Sequence, residues 1–536
     1  MRFAQTSPPV GSERDTLSVM SDDTDVGHVA KHGRSGRTLP FDMSGVVRTQ
    51  DGVLRYSTLA PSLLDMLLCS VERHPDRECV VVLGGERVSY QQLWDRAARV
   101  AGGLRAAGVR PGDRVANRHG NGLEWCLAFW GTLMAGCVVV PVNTRFSDSE
   151  VSYVVTDAGA DVVLRSGDPL PDGAPFVCDD TDHKTLAALM YTSGTTGFPK
   201  GAMVTNENFL SNVETCLRAL EIPASLQVRN LISVPLFHAT GCNSQLLPTL
   251  RLGGTAVIMP AFDVQDFLRA TVDEHVNMLT SVPAIFWLAM NQPNFADADM
   301  SDVGWVTYGG APTAPDVIAR LREAFPNAKL ANGFGLTETS SVSTVLPDAF
   351  ADARPETVGF AAPPVEVDLL DPDPVTGVGE LLIRGQNVVA GYWNRPEKTA
   401  ETFVDGWLHT GDLARIDDEG FVQIVDRCKD MICRGGENVY CVEVENVLAQ
   451  HPAVFEAAVL GVPDEMMGEK VGAVVVPLPG AQIDPHEIHS FVRERIADFN
   501  APQFVCLRGE PLPRNPAGKV LKPLLREEIQ WSDEIR

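Results

Sequence analysis

Hydrophobic and polar positions along this chain change their period several times, and each change marks an element. In "LLDMLLCSVERHP", which begins at Leu63, apolar residues recur every three or four positions, predicting an amphipathic helix that ends before Pro75. "ECVVVLGGERVSY" reads as two short strands turned by Gly84 and Gly85, and "YQQLWDRAARVAGGLRAAG" returns to helical spacing, closed by Gly108. From "DRVANRHG" (113–120) to about residue 340, β-branched runs alternate with helical stretches, as in a parallel sheet with helices on both faces. Beyond about residue 355 the texture shortens to strands and turns ("VEVDLLDPD", "GELLIRG", "GFVQIVDR"), predicting a small β-rich subdomain. From about residue 428 a compact α+β segment follows, with "CVEVENVLAQHP" as a helix and "VFEAAVLGVP" and "EKVGAVVVPL" as strands.

One stretch, "WCLAFWGTLMAGCVVVPV" (125–142), is apolar enough to resemble a membrane span, but Gly131, Gly136 and Pro141 interrupt it. It reads better as a buried helix stopped at Gly136 and followed by a buried strand. Residues 1 to about 55 show no sustained periodicity and are expected to be disordered or loosely attached. The predicted architecture is therefore α/β: a leader (1–55), a large domain of αβα-layered parallel sheets with a β-rich subdomain (56–427), and a small α+β domain (428–536), with the boundary at Arg427–Lys429.

Length and charge narrow the partners. At 536 residues the chain exceeds what one hydrophobic core supports. A formal net charge of −26 argues against nucleic acid and anionic membrane surfaces, though a nest of backbone N–H groups can hold a small anion inside an acidic protein. The eleven cysteines include no C-x-x-C pair and no zinc-site spacing, and are expected to be reduced thiols in a cytoplasmic protein. No apolar signal region opens the chain.

Candidate chemistry concentrates in "MYTSGTTGFPKGA" (190–202), where four hydroxyl side chains, three glycines and Lys200 follow the predicted strand "LAALMY". Glycines admit an oxyanion close to the backbone, hydroxyls donate to it, and one lysine balances its charge. Phosphates bind at the carboxyl ends of strands in α/β proteins. The spacing is not that of the G-x-x-x-x-G-K-[ST] loop, which disfavours a kinase or motor nucleotidase.

This loop resembles the signature of the adenylate-forming superfamily, which includes acyl-CoA synthetases, luciferases and peptide-synthetase adenylation domains. The resemblance extends from about residue 57 to the end, and further motifs follow in family order: "PLFHATG" (235–241), "YGGAPT" (308–313), "NGFGLTE" (332–338), "WLHTGD" (407–412), "VDRCKDMICRGGENVY" (425–440) and "LPRNPAGKVLK" (512–522). It is nearest to the AMP-forming fatty acyl-CoA synthetases. The resemblance implies ATP, Mg²⁺ and CoA as cofactors, with residues 56–427 as the AMP-binding adenylation domain and 428–536 as a mobile C-terminal domain. Thr192, Ser193, Gly194, Thr195, Thr196, Gly197 and Lys200 would cradle the phosphates. Thr337 and Glu338 would meet the α-phosphate, with Glu338 holding Mg²⁺. Gly310, Ala311, Pro312 and Phe334 would bracket adenine, and Asp412 and Arg427 would hold the ribose. Lys519 would bridge the attacking carboxylate and the α-phosphate. Rotation about a hinge at Lys429 would then replace it with the Gly435–Gly436 loop and open a channel for the thiol of CoA. Cys441 stands where relatives often have proline, and Asn500 where a lysine is common.

The resemblance places the acyl group beside His238 and Gly309, and small Gly309 and Gly310 are expected to leave room there. No Asp, Glu, Lys or Arg occurs from Leu231 to Leu250. A buried substrate ammonium would lack a counter-charge, so an apolar acid, foremost a fatty acid, is expected over an amino acid. An aromatic or polycyclic acid is the alternative substrate. A carrier protein is the alternative acceptor, disfavoured because Thr339 to Gly379 is compact. Homo-oligomerisation is left open.

Overall fold

The computed structural model describes residues 39–192, 199–310, 313, 315–435, 437–514, 520–531 and 534–535. Among the described residues the larger sheet has nine strands. Their spatial order is Arg87–Ser89, Glu78–Val82, Thr255–Ile258, Arg229–Ile232, Met278–Ser281, Trp305–Gly309, Lys329–Phe334, Thr344–Leu346, Phe360–Ala361. The strands from Glu78–Val82 to Lys329–Phe334 are parallel, and both edges are finished by antiparallel strands. A second sheet runs Ala160–Arg165, Arg114–Arg118, Val138–Pro141 and Leu186–Thr192 in parallel, with Lys200–Thr205 returning antiparallel at its edge.

Helices Leu63–Arg73, Tyr90–Ala106, Leu123–Met134 and Asn206–Ala219 share one buried core with residues of both sheets. The stretch that mimics a membrane span lies here. Trp125, Phe129 and Trp130 are fully buried on Leu123–Met134, Gly136 takes a positive φ of 76°, and the chain re-enters as the strand Val138–Pro141. Uniform hydrophobicity in this helix thus reflects burial on all sides. Among the described residues no helix is long and apolar enough to cross a membrane, and no disulfide links the cysteines. Helix Tyr90–Ala106 starts at Ser89 in a reciprocal cap with Gln92, an arrangement whose loss costs about 1 kcal/mol. Helices Val264–Asp273, Pro283–Met290 and Pro315–Ala324 pack on the outer face of the larger sheet, and Asp148–Ala158 on that of the smaller.

The β-rich subdomain is an antiparallel sheet of Glu366–Leu370, Gly379–Arg384, Trp407–Ile416, Phe403–Val404 and Val422–Arg427. A C-terminal domain follows, with strands Ile432–Arg434, Glu437–Val439, Val454–Asp464, Gly468–Pro477 and Phe504–Leu507 and helices Cys441–Leu448 and Pro485–Arg493 around its own core. We place the domain boundary in the turn after Arg427, where the N–H groups of Asp430 and Met431 both donate to the Arg427 carbonyl.

The expected leader needs correction. Residues 39–55 are packed on the body. Val46–Arg48 pairs antiparallel with Leu54–Tyr56, Phe41 meets Phe360 edge-on, and Arg48 makes a bidentate pair with the buried Glu366 carboxylate at 2.7 and 3.1 Å. Its strands are only three residues long, too short for their alternation to register as a period. Residues 1–38 lie outside the described residues.

Candidate active site

The strand Leu186–Thr192 delivers Thr192 to the carboxyl edge of its sheet, and Tyr191 is anchored there by donating to Asp157 at 2.8 Å. Asp157 also accepts from Arg395 at 2.5 Å. The next described strand, Lys200–Thr205, lies antiparallel beside Leu186–Thr192, with Thr192 opposite Lys200. Burial lowers the Lys200 ammonium from its ordinary value, and the charge of Glu338 opposes that shift. Ser193, Gly194, Thr195, Thr196 and Gly197 lie outside the described residues, as do Ala311, Pro312, Gly436 and Lys519.

On the larger sheet the three glycines of "YGG" and "NGF" have different reasons. A Cβ on Gly309 would lie 2.1 Å from the Gly333 carbonyl oxygen, so this glycine permits close strand packing. Gly310 needs its positive φ of 74°. Among the described residues a Cβ on Gly333 would meet nothing within 4 Å, and the open space lies there. Just beyond Phe334 the chain doubles back so tightly that a Cβ on Gly335 would fall 1.4 Å from the Ser341 carbonyl oxygen. The 3₁₀ turn Thr337–Thr339 and two residues at positive φ, Ser340 (55°) and Ser341 (119°), complete the loop that presents Thr337 and Glu338.

Glu338, on the turn after the larger sheet, and Lys200, on the smaller sheet, meet through a residue the sequence reading did not single out. Tyr392 donates to Glu338 Oε1 at 2.7 Å, and the Lys200 ammonium lies 4.7 Å from its ring centroid. Its signal, a tyrosine after glycine in "VAGYWNRP", is uninformative until the segment is seen lying against the strand Lys200–Thr205, where Ala202 and Tyr392 form a bridge.

Asp412 and Arg427 face each other on adjacent antiparallel strands, with Arg427 Nε 2.7 Å from Asp412 Oδ1. Asp412 is buried and Arg427 about one-third exposed (37%), so a carboxylate acceptor and a reachable guanidinium donor stand side by side. That suits vicinal hydroxyls. The next carboxylate, Asp426, accepts from the N–H of Arg427 at 2.7 Å and from the N–H of Cys441, the first residue of helix Cys441–Leu448. A proline at position 441 would have no proton to give. Burial raises Asp426 to about 6, against the charge of Lys522. Lys522 is itself paired with Glu445 at 2.8 Å. Lys429 follows in the exposed turn, and Gly435, at φ 60°, donates to the Met467 carbonyl at 2.7 Å.

The expected acyl wall follows the strand Arg229–Ile232. His238 is partly buried against Phe237, with ring centroids 4.6 Å apart, and a π-helix, Thr240–Leu246, comes directly after. Polar groups of this segment turn inward: Asn243 Nδ2 donates to the Ser340 carbonyl at 2.7 Å, Gln245 Nε2 to the Thr280 carbonyl at 3.1 Å, and Ser244 bonds Ser341 at 2.7 Å. Asn243 and Ser244 clamp this wall to the loop after Glu338, and Gln245 clamps it to the strand Met278–Ser281.

The residues fit magnesium–ATP. Magnesium keeps most of its waters and is held by one or two carboxylates plus substrate phosphates, which a single oriented Glu338 supplies. Among the described residues no group of three or more His, Cys, Asp or Glu side chains could cage a metal by itself.

Comparison with known proteins shows the family to which the chain belongs. The profile of the family described as AMP-binding enzyme matches residues 69–393, and that of the AMP-binding enzyme C-terminal domain matches residues 443–519. A feruloyl-CoA synthase of an Amycolatopsis species is 37% identical over 83% of this chain and 95% of its own length. The long-chain-fatty-acid–CoA ligase FadD13 of Mycobacterium tuberculosis is 35% identical over 82% of this chain and 93% of its own. The crystal structure of ATP-bound MatB from Rhodopseudomonas palustris superposes with a TM-score of 0.80 at 31% identity, covering 88% of this chain and 99% of that one.

Proposed function

The chain belongs to the AMP-binding, adenylate-forming enzymes and is an AMP-forming acid–thiol ligase, and from that premise we propose that it activates an apolar carboxylic acid, foremost a fatty acid, for transfer to CoA. In the first half-reaction the carboxylate attacks the α-phosphorus of ATP and pyrophosphate leaves. In the second, the thiol of CoA attacks the acyl carbon and AMP leaves. Both partners of the first step are anions, so the site must align them and offset their repulsion. Thr192, the 193–197 segment and Lys200 would hold the phosphates, Thr337 the α-phosphate, and Glu338 the magnesium, which supplies positive charge to the phosphate oxygens. Gly310, Ala311, Pro312 and Phe334 would flank adenine, with the ribose on Asp412 and Arg427. Lys519 would serve adenylation, and the Gly435–Gly436 loop would line the thiol path after rotation about Lys429.

The observation that carries the acid's class is the wall from Leu231 to Leu250. It contains no Asp, Glu, Lys or Arg, and the side-chain N–H groups of Asn243 and Gln245 and the hydroxyl of Ser244 have partners within the protein. A substrate ammonium there would cost several kcal/mol. The open space at Gly333 favours a second reading, a planar aromatic acid, which the feruloyl-CoA synthase similarity also supports. CoA is favoured over a carrier protein because the chain from Thr339 to Gly379 is taken up by short elements of the two sheets and their connections.

A panel of acids from four to eighteen carbons, with benzoate, cinnamate and an amino acid, assayed for AMP release with and without CoA, tests this. Each additional buried methylene should raise kcat/KM about fourfold until the pocket ends. A flat response to length with strong dependence on ring shape selects the aromatic reading. Amino acids as best substrates would overturn the pocket argument.

A further inference from the structure

Tyr392 occupies a position that no phosphate or metal role requires, yet it touches the proposed agents of both. Its backbone explains the placement. Gly391, at φ 146°, lets the chain close on Thr399, whose Oγ1 accepts from the Tyr392 N–H at 2.9 Å. The segment then lies along the strand Lys200–Thr205: Met203 N–H donates to the Gly391 carbonyl at 3.0 Å and Trp393 N–H to the Gly201 carbonyl at 2.8 Å. Three residues earlier, Val389 N–H donates to the carbonyl of Glu338 itself at 2.9 Å. One short stretch is thus hydrogen-bonded to the strand bearing Lys200 and to the turn bearing Glu338. Between these anchors the tyrosine is almost wholly buried (5% exposed).

A lysine and a glutamate that contact the same buried side chain could instead pair with each other. Lys200 and Glu338 do not. The ammonium sits over the ring face and the carboxylate takes the ring hydroxyl. We propose that Tyr392 is a positioning residue, a post that seats the two opposite charges on one side chain and keeps them from neutralising each other before nucleotide arrives. Its contacts are exchangeable. A phosphate can draw the ammonium off the ring face, and a hydrated cation can share the carboxylate without breaking a direct ion pair first. This rests on the assignment of Lys200 to the phosphates and Glu338 to magnesium.

Equilibrium binding of ATP, without acid, titrated over a range of magnesium concentrations by calorimetry, tests it. Tyr392→Phe keeps the ring and loses the hydroxyl. It should raise the magnesium concentration for half-maximal ATP binding by about tenfold and leave magnesium-free ATP affinity within about twofold. In a Glu338→Gln background the same change should have no further effect on the magnesium midpoint, a non-additivity that a merely structural tyrosine would not produce. A folded Tyr392→Phe protein with the wild-type magnesium midpoint overturns the proposal. If instead Lys200→Ala and Glu338→Gln both bind ATP as the wild type does, the underlying assignment fails, whatever Tyr392 does.

Discussion

The Asp426 carboxylate, at the end of the last strand of the β-rich subdomain, accepts a hydrogen bond from the N–H of Cys441, which opens the first helix of the C-terminal domain. A buried acid thereby spans the turn at which we place the hinge. The groups facing it are the Arg427 N–H from its own strand, Cys441 and Glu445 from the helix, and Lys522.

Because burial raises Asp426 from 3.8 to about 6, the folded arrangement binds its proton more tightly than the open chain does. The stabilisation is full below the ordinary carboxylate range and is lost as pH rises through about 6. Between pH 5 and 7 this one group should cost about 1 kcal/mol of unfolding free energy. Denaturant melts of wild type and Asp426→Asn at both pH values should differ by that amount in their pH response. Identical pH responses would mean that water reaches the carboxylate.

How much of this was legible in the sequence depended on the range over which each signal acts. The helix over Leu63–Arg73, the hairpin at Glu78–Ser89 and the buried helix–strand pair at 123–141 are set by local periodicity, and the structure has them where that periodicity puts them. Asp412 and Arg427 lie fifteen positions apart in the chain, and only strand pairing brings them to 2.7 Å. Tyr392 and Glu338 are more distant still, so nothing local marks the tyrosine. The purpose of a glycine is equally invisible locally. Gly309 and Gly333 read alike in sequence, and only the neighbouring strand distinguishes backbone packing from open space.

The N-terminal strap gives a second prediction. Arg48 satisfies a buried Glu366 whose other charged partner among the described residues is Arg384, at 3.0 Å. Arg48→Ala should cost about 2 kcal/mol, the scale of a lost charged hydrogen bond, and be seen in chemical denaturation. A chain starting at residue 39 should melt like the full one, whereas a start at Tyr56 should lower the melting temperature by several degrees. Equal melting of both truncations would return the strap to the status of an idle leader.

Separating the half-reactions tests the proposed two-conformation cycle. Lys519→Ala should slow adenylate formation by roughly 10²–10³-fold, the scale of one lost preorganised charge, and largely spare thioester formation from supplied acyl-adenylate. Gly436→Trp should do the reverse, blocking transfer to CoA with pyrophosphate exchange near normal. Parallel losses in both half-reactions for either folded variant would mean that one arrangement serves both steps.

Gly333 and Gly309 should respond oppositely to added side chains, and the contrast locates the acyl pocket. Gly333 has no positive φ and its added Cβ meets nothing among the described residues, so Gly333→Val should fold normally. The new branches would fill space the acid otherwise uses. Acids long or broad enough to reach it should lose about fourfold in kcat/KM for each methylene displaced, while the shortest acids and the KM for ATP hold within about twofold. Gly309→Ala places its methyl 2.1 Å from the Gly333 carbonyl oxygen, far inside the non-bonded contact distance of carbon and oxygen. It should force the strands Trp305–Gly309 and Lys329–Phe334 apart and lower stability by about 1–3 kcal/mol, weakening turnover of every acid alike. Thermal melts together with kcat/KM across the acid series distinguish the two. If Gly333→Val leaves the whole series unchanged, the open space beside that glycine is not where the acid binds, and the wall at His238 must bound a pocket on another side.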